Sequence, residues 1–522
     1  MPLEALKRMP KRFFPFILFI PFLIGCHNVK PISVSEEVFS YESLSIDEIP
    51  SYNEPVFDET GTAIPAESPH YKVTIEENPE VVWDDSQSNL RTGNKTLDFY
   101  NINDIHGTVD ESGNYTGIRK ISSYLQQQAS QNKNGYVFTC SGDAWQGSAD
   151  SNLTRGALMD SWLEYVQCSA MALGNHEFDW TIDTLVYNDT HTKFPFLACN
   201  ILRSDNNQPV DWARPFTTIT RNGVHIGIIG AIGEGITSSI TASYVRGLTF
   251  VNPLSYVSQW SQYLKQNGAD VILLLYHNST VNLEFDYAYH VNGIFGGHNH
   301  AFEQSVIGKS PALQASAYGR GVSHIRINYD FDNKKVASSY GENITNKVLK
   351  AYVEDRGTNE LINYFAPMIN EIKNEKVAYL PRSMGDEEVV TLMEQYMYKY
   401  YVEELNNPHT LYAVRHNQAR QYLPSGYVTY GDIYAAFPFD NSLVLAKSYY
   451  EYADMHAYTS YYPNGNDPSS LKDDDGDVYL LTINYLSEHE TYGEYLTPVI
   501  TYSGMYPRDI MKMYLGNEYP LP

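Results

Sequence analysis

Apolar and polar positions fall into a regular rhythm from Leu97 onward. Residues 97–102 form a short run rich in Leu, Phe, Tyr and Ile that reads as a strand, and Ile118, Ile121 and Leu125 then recur at helical spacing. The alternation repeats. Residues 136–140 read as a second strand running into Gly142 and Asp143, 157–166 as a helix, and 170–173 as a strand ending in Gly174 and Asn175. Further strands are expected at 225–231, 271–276 and 293–295, and one at 324–332 closes the region. Leu361, Ile362, Phe365, Ile369 and Ile372 mark a helix over 359–373, which we read as a connection. Strands alternating with helices predict a layered α/β domain. Its polar motifs follow strands, and ligands bind such sheets at the carboxyl ends of strands, where loops present side chains on a rigid frame. From Tyr379 to Pro522 the chain is rich in Tyr and reads as a second α/β or α+β domain, with an acidic loop at 464–477.

A chain of 522 residues, 43% of them hydrophobic, can bury more than one core. Its formal charge of −26 weighs against a nucleic-acid polymer as partner, because the field of the whole protein repels a polyanion. A small anion can still bind where cations reverse that field locally. The charge is concentrated: residues 31–90 hold 14 Asp and Glu against one Lys, Lys72. Poor in apolar periodicity, this stretch reads as an acidic tether, the alternative being an arm over 71–83, where Val73, Ile75 and Val81 are apolar. Ahead of it, Lys7, Arg8, Lys11 and Arg12 precede an apolar run over 13–25 of the length of a secretory signal. That run ends in Leu23-Ile24-Gly25-Cys26, which resembles the bacterial lipobox and implies cleavage before Cys26 and lipid attachment to it. An uncleaved signal anchor is the alternative. The expectation is a signal peptide at 1–25, a tether at 26–95 and an extracytoplasmic lipoprotein anchored to the bacterial cell membrane. Cys140, Cys168 and Cys199 lack metal-finger spacing and read as buried residues, with a disulfide between two of them left open. No internal repeat is found, and no protein partner is identifiable.

Five clusters carry the candidate chemistry: Asp104-Ile105-His106-Gly107, Gly142-Asp143, Gly174-Asn175-His176-Glu177, Tyr276-His277 and Gly296-Gly297-His298-Asn299-His300. Hard or borderline divalent cations take carboxylate, imidazole and amide oxygen ligands, and a two-metal site needs one carboxylate able to bridge. One such cluster alone would read as a turn or a hydrogen-bonded His. Five, each after an apolar strand, point to metal.

With these runs in view, residues 97–329 resemble the calcineurin-like metallophosphoesterases, and more narrowly the secreted 5'-nucleotidase and nucleotide-sugar hydrolase family. The family-like runs are Asn103 to Gly107, Gly142-Asp143-Ala144-Trp145-Gln146-Gly147, Gly174-Asn175-His176-Glu177-Phe178-Asp179 and Gly297-His298-Asn299-His300, joined by Gly268-Ala269-Asp270 and by residues 314–319. The resemblance implies a four-layer β-sandwich flanked by helices over 96–345, a connecting helix over 346–378 and a 5'-nucleotidase-like substrate domain over 379–522. It implies two divalent cations, of Zn, Mn, Co or Fe. One would take Asp104, His106, Asp143 and His300, the other Asp143, Asn175, His277 and His298, with Asp143 bridging. His176, oriented by Asp179, would stabilise the transition state or protonate the leaving oxygen; the alternative is that His176 is a further ligand.

In the second domain, residues 430–441 resemble the family's nucleotide-recognition signature, which assigns base stacking to Phe439 and a base contact to Asn441. The family's Gly-rich Asn-Gly-Gly-Gly-Ile-Arg stretch is replaced by His416-Asn417-Gln418-Ala419-Arg420, where Arg420 remains as a ligand for substrate oxygens. Tyr485 stands for the second aromatic, without the Gly-Gly-Asp that follows it in the family. Phe439 and Tyr485 thus read either as a base sandwich or as core aromatics of a Tyr-rich domain. The expected activity is a metal-dependent phosphoric ester hydrolase acting on a nucleotide or other small phosphoester, a 5'-nucleotidase in the first place. Alternatives are a cyclic-nucleotide or nucleotide-sugar phosphodiesterase, and a surface-binding lipoprotein without turnover.

Overall fold

The computed structural model describes residues 79–281, 283–454, 460–489, 491 and 493–522. The expected signal peptide, Cys26 and the expected tether up to residue 78 lie outside the described residues.

Two six-stranded sheets face each other. The first orders its strands as Lys335–Thr345, Gly321–Asp330, Asn94–Ile102, Tyr136–Cys140, Cys168–Ala172 and Phe196–Leu197. The second runs Phe302–Ile307, Ser310–Ala315, Gly293–Phe295, Val271–His277, Val224–Ile232 and Phe216–Arg221. Strand alternation builds the layers, since successive side chains point to opposite faces. Leu97 and Phe99 meet Val271, Leu273 and Leu275 in the core between the sheets. Tyr100 and Ile102 turn outward to helices Ile118–Gln131 and Ala157–Tyr165, and Ile272 and Leu274 turn outward to helix Leu254–Gln266. The result is helix, sheet, sheet, helix, as the resemblance implies.

Four neighbouring strands of each sheet are parallel. In the first these are Asn94–Ile102, Tyr136–Cys140, Cys168–Ala172 and Phe196–Leu197; in the second, Val224–Ile232, Val271–His277, Gly293–Phe295 and Ser310–Ala315. Parallel strands end on one side, so the loops that follow 102, 140, 172, 277 and 295 converge.

Two expectations are corrected here. The acidic tether does not run to residue 95. Trp83 stacks on His225 with ring centroids 4.3 Å apart and donates Nε1–H to the carbonyl of Asn267 at 2.8 Å. Arg91 grips Asp270 through two nitrogens at 2.9 and 3.2 Å, and Val81 packs on the outer core of the second sheet. Val81 and Trp83 are the described end of the arm read as the alternative over 71–83, and the packing continues past it to Arg91. The helix read as a connection, Arg356–Lys373, is likewise a layer of the first half: Leu361, Ile362, Phe365 and Ile369 are buried in one cluster with Trp162 and Tyr165.

The C-terminal half has its own core. A four-stranded sheet ordered Leu411–Val414, Asp477–Ile483, Leu443–Tyr449 and Thr497–Tyr502 carries Leu443, Leu445, Leu481 and Ile483 against Val389, Met393, Ile433 and Leu515 of three helices. The 464–477 segment is a loop with one short 3-10 turn, Pro468–Ser470. Cys140, Cys168 and Cys199 are buried free thiols. Among the described residues no helix is long and apolar enough to cross a membrane.

Candidate metal centre

The five loops bring Asp104, His106, Asp143, Asn175, His277, His298 and His300 to one place. Asp104, His106 and His300 form one set whose donor atoms lie within 4.8 Å of one another, and Asp143, His277 and His298 form another. Asn175 Oδ1 lies 3.1 Å from His277 Nε2 and 2.9 Å from His298 Nδ1. The loops achieve this with left-handed backbone: φ is 48° at Asp104, 48° at His106, 55° at Asp143, 78° at His298 and 60° at His300. Asp, Asn and His tolerate this region better than other side chains, and such outliers gather at functional sites.

Ring tautomers bear on what the cluster could hold. His277 Nδ1 is 2.7 Å from the carbonyl of Ser141, and His106 Nδ1 is 2.9 Å from the carbonyl of Gln146. A carbonyl only accepts, so Nδ1 carries a hydrogen in both rings, and in the neutral ring Nε2 presents a lone pair. His277 Nε2 then points that lone pair at Asp143 Oδ2, 3.3 Å away, and at Asn175 Oδ1. Acceptors facing acceptors at this distance need a proton or a cation among them, and the donor set suits a divalent cation.

Without a cation, charges are strained. Burial, with the like charge of Asp143 adding to it, pushes Asp104 up to about 7 despite His277 nearby. Burial opposes a charge on His277, yet Asp143 and Asp104 hold that ring up at about 10, so a proton stands where a cation would serve. Burial pulls His298 down to about 4 and His300 to about 3, leaving both neutral and ready to ligate.

Beneath Asp143 lies a carboxylate to which sequence reasoning gives no role. Glu177 accepts from the backbone N–H of Asp143 at 2.9 Å, of Ala144 at 2.8 Å and of Gly174 at 2.7 Å, tying two ligand loops together. Gly174 is needed at its position, because a Cβ there would collide with Asp143 Oδ1 and sit 2.7 Å from His277 Cε1. Gly174→Ala should therefore displace the carboxylate and weaken metal binding about ten- to a hundredfold, the scale of about 1 to 3 kcal/mol of overpacking. Titration of the variant with Mn²⁺ or Zn²⁺ checks this; an unchanged affinity would mean that the carboxylate has room to move.

The family of calcineurin-like phosphoesterases matches residues 97–302, the stretch that supplies every one of these candidate ligands. This chain carries a calcineurin-like phosphoesterase domain. A 5'-nucleotidase of Diplobatis ommata is 25% identical over 273 residues, 45% of this chain and 46% of that one. An apyrase of Aedes albopictus is 24% identical over 403 residues, 67% of this chain and 70% of that one. The chain thus spans about half the length of the first of these curated relatives and somewhat more of the second. Among solved structures, a 5'-nucleotidase precursor of Thermus thermophilus superposes with a TM-score of 0.64 over 82% of this chain and 97% of its own; at 18% identity it shares the fold. These matches are consistent with the 5'-nucleotidase family, and the domain's family implies divalent metals.

Beside the ligands of the phosphoesterase domain, His176 Nδ1 donates to Asp179 Oδ2 at 2.7 Å, which leaves Nε2 toward the cavity side of the ring. Burial opposes a charged His176, but Asp179 and Asp143 outweigh it and raise the ring above its ordinary value. His176 also joins His106 and Asp143 in a third potential metal set, so the geometry by itself leaves its role as a further ligand open.

A cavity of about 270 Å³ opens between the two halves of the chain, reached by His176, His298 and His300 from one side and Arg420, Phe439, Asn441 and Tyr485 from the other. All four expected substrate residues thus face the metal cluster. Their arrangement modifies one expectation: Phe439 is already stacked on His176, with centroids 5.2 Å apart, and the Arg420 guanidinium lies 5.0 Å from its ring centre. Sequence reasoning misses what fixes this wall. Asp440 is buried between Arg155 of the phosphoesterase domain, at 2.9 Å, and Arg508 of helix Pro507–Glu518. Asn152 Nδ2 donates to the carbonyl of Pro438 at 2.6 Å. Nothing in the local sequence around Arg155 signals a partner 285 residues away.

Proposed function

We propose that this chain is a dinuclear-metal phosphohydrolase that releases phosphate from nucleoside 5'-monophosphates outside the cytoplasm, held to the membrane by a lipid on Cys26. The observation that carries the reading is the lone-pair arrangement at Asp143, whose carboxylate lies between the two ligand sets. Asp104, His106, Asp143 and His300 would hold one cation and Asp143, Asn175, His277 and His298 the other. Two divalent cations would supply Lewis-acid activation of water and neutralise the phosphoryl oxygens.

The chain's own residues do the rest. His176, with Nδ1–H fixed on Asp179, places Nε2 toward the cavity, where a protonated ring can give its proton to the leaving ribose oxygen. Phe439 keeps that ring from turning. Arg420 adds a fixed positive charge beside the centre, offsetting an acidic whole. Asn441 and Tyr485, supplied by the C-terminal half, face the space a nucleoside would fill, and Tyr485 offers a stacking face.

The test is elemental analysis of the purified chain together with phosphate release from nucleoside monophosphates, cyclic nucleotides and nucleotide sugars, with Mn²⁺ or Zn²⁺ added. Two metals per chain, fastest release from monophosphates and loss of activity with a chelator are the expected results. Faster turnover of a diester would move the substrate, and bound metals with no turnover on any phosphoester would favour a surface-binding protein.

A further inference from the structure

We infer that Gln146 contacts the substrate, its side-chain amide donating to an oxygen of the phosphoryl group held at the His and Asp cluster. The inference deepens the phosphohydrolase reading and rests on it. Gln146 follows Asp143 by three residues in a loop with little freedom. His106 N–H donates to the carbonyl of Asp143 at 3.0 Å and Gly107 N–H to that of Ala144 at 3.0 Å, while Trp145 Nε1–H is anchored on Asp160 at 2.8 Å. The Gln146 carbonyl fixes the His106 tautomer at 2.9 Å, so its Cα is held against a metal ligand.

Its side chain, however, is unused. Gln146 is 1% exposed, and neither Nε2 nor Oε1 has a hydrogen-bond partner. Buried amides are seldom left so, because each unmade bond forfeits the water the group gave up. A second cavity of about 330 Å³ lies on the His106 and Tyr318 side of the cluster. Three side chains line both cavities: Gln146, Arg420 and Phe439. An amide and a guanidinium therefore share one wall beside the metal ligands, next to the ring that covers His176. A phosphoryl group brings more acceptor oxygens than cations and one arginine satisfy, and an uncharged donor meets such an oxygen without altering the charge of the site. Neutral –NH₂ on a rigid loop is suited to that task.

Gln146→Met keeps length and volume but removes both donors, and Gln146→Glu keeps the shape while replacing the donor with a carboxylate. With metal content unchanged, Gln146→Met should lower kcat/KM about 10- to 100-fold, as expected for a lost hydrogen bond to a charged group, and Gln146→Glu should lower it further. Inhibition by inorganic phosphate should weaken by a similar factor in both variants, and inhibition by the uncharged nucleoside should not change. Calorimetric titration of inorganic phosphate into the metal-loaded full chain reads the same contact without turnover. Unchanged phosphate affinity in both variants, or equal loss of phosphate and nucleoside affinity, overturns the role of Gln146. A wild-type chain that binds phosphate but hydrolyses no phosphoester overturns the proposed function instead, and one that does not bind phosphate overturns both.

Discussion

Replacing Asp143 by Asn should leave the chain unable to hold two cations and should slow phosphate release about 10²- to 10⁴-fold, the equivalent of about 3 to 5 kcal/mol for removing one partner from a buried charge cluster. The expectation follows from position. Asp143 Oδ2 lies 3.3 Å from His277 Nε2 and 4.0 Å from His106 Nε2, so it stands between rings assigned to different cations. Its Oδ1 accepts the backbone N–H of His176 at 2.9 Å, which holds the carboxylate in place. Asn keeps that acceptor and the volume while removing the charge, so the loss reads ligation and not collapse. Metal per chain at saturating Mn²⁺ or Zn²⁺ is the primary measurement. Two metals and an undiminished rate would sink the bridging role.

His176→Ala should behave differently. The variant should keep its metals and lose about 10²- to 10⁴-fold in turnover, the range of a positioned general acid. The loss should depend on the leaving group: large for a ribose alkoxide, which needs a proton, and small for a nitrophenolate, which leaves without one. A loss equal for both esters would argue that the ring acts on the phosphoryl group, and a loss of metal would make it a ligand.

Much of the phosphoesterase half is legible in the sequence because its strands end in polar residues that an ordinary strand would not need there. The pattern predicts strands over 136–140, 271–276 and 293–295, and the structure places strands at Tyr136–Cys140, Val271–His277 and Gly293–Phe295, each delivering a candidate ligand at or just beyond the carboxyl end. The signal is local: an apolar run and then a ligand-type residue, with a glycine between them at Asp143, Asn175 and His298. Where function depends on side chains distant in sequence, that signal fails. Glu177 lies inside a family-like run without a role, since its three backbone partners belong to a loop more than thirty residues away or to the turn just before it. Buried Asp440 and Arg508 join partly buried Arg155 in one unit out of two halves of the chain. Gln146 is visible in the Gly142 to Gly147 run, but only burial and the lack of partners give it meaning. Val81 is legible as part of the arm read as the alternative over 71–83, whereas the stacking of Trp83 on His225 depends on a partner far along the chain. Phe439 and Tyr485 stand out in the sequence as aromatics for a substrate, whereas the stacking of Phe439 on His176 depends on how the halves meet.

The left-handed backbone at Asp104, His106, Asp143, His298 and His300 restricts how this centre can change over time. At each position the main chain accepts Asn, Asp, His or Gly with least strain and resists branched or bulky side chains. A lineage that gave up the metals could not freely refill these five sites with apolar residues, because the loops would first have to be rebuilt. Exchange within that small alphabet is the easier path, either to another donor type or to Gly, which gives up a donor while keeping the shape of the loop.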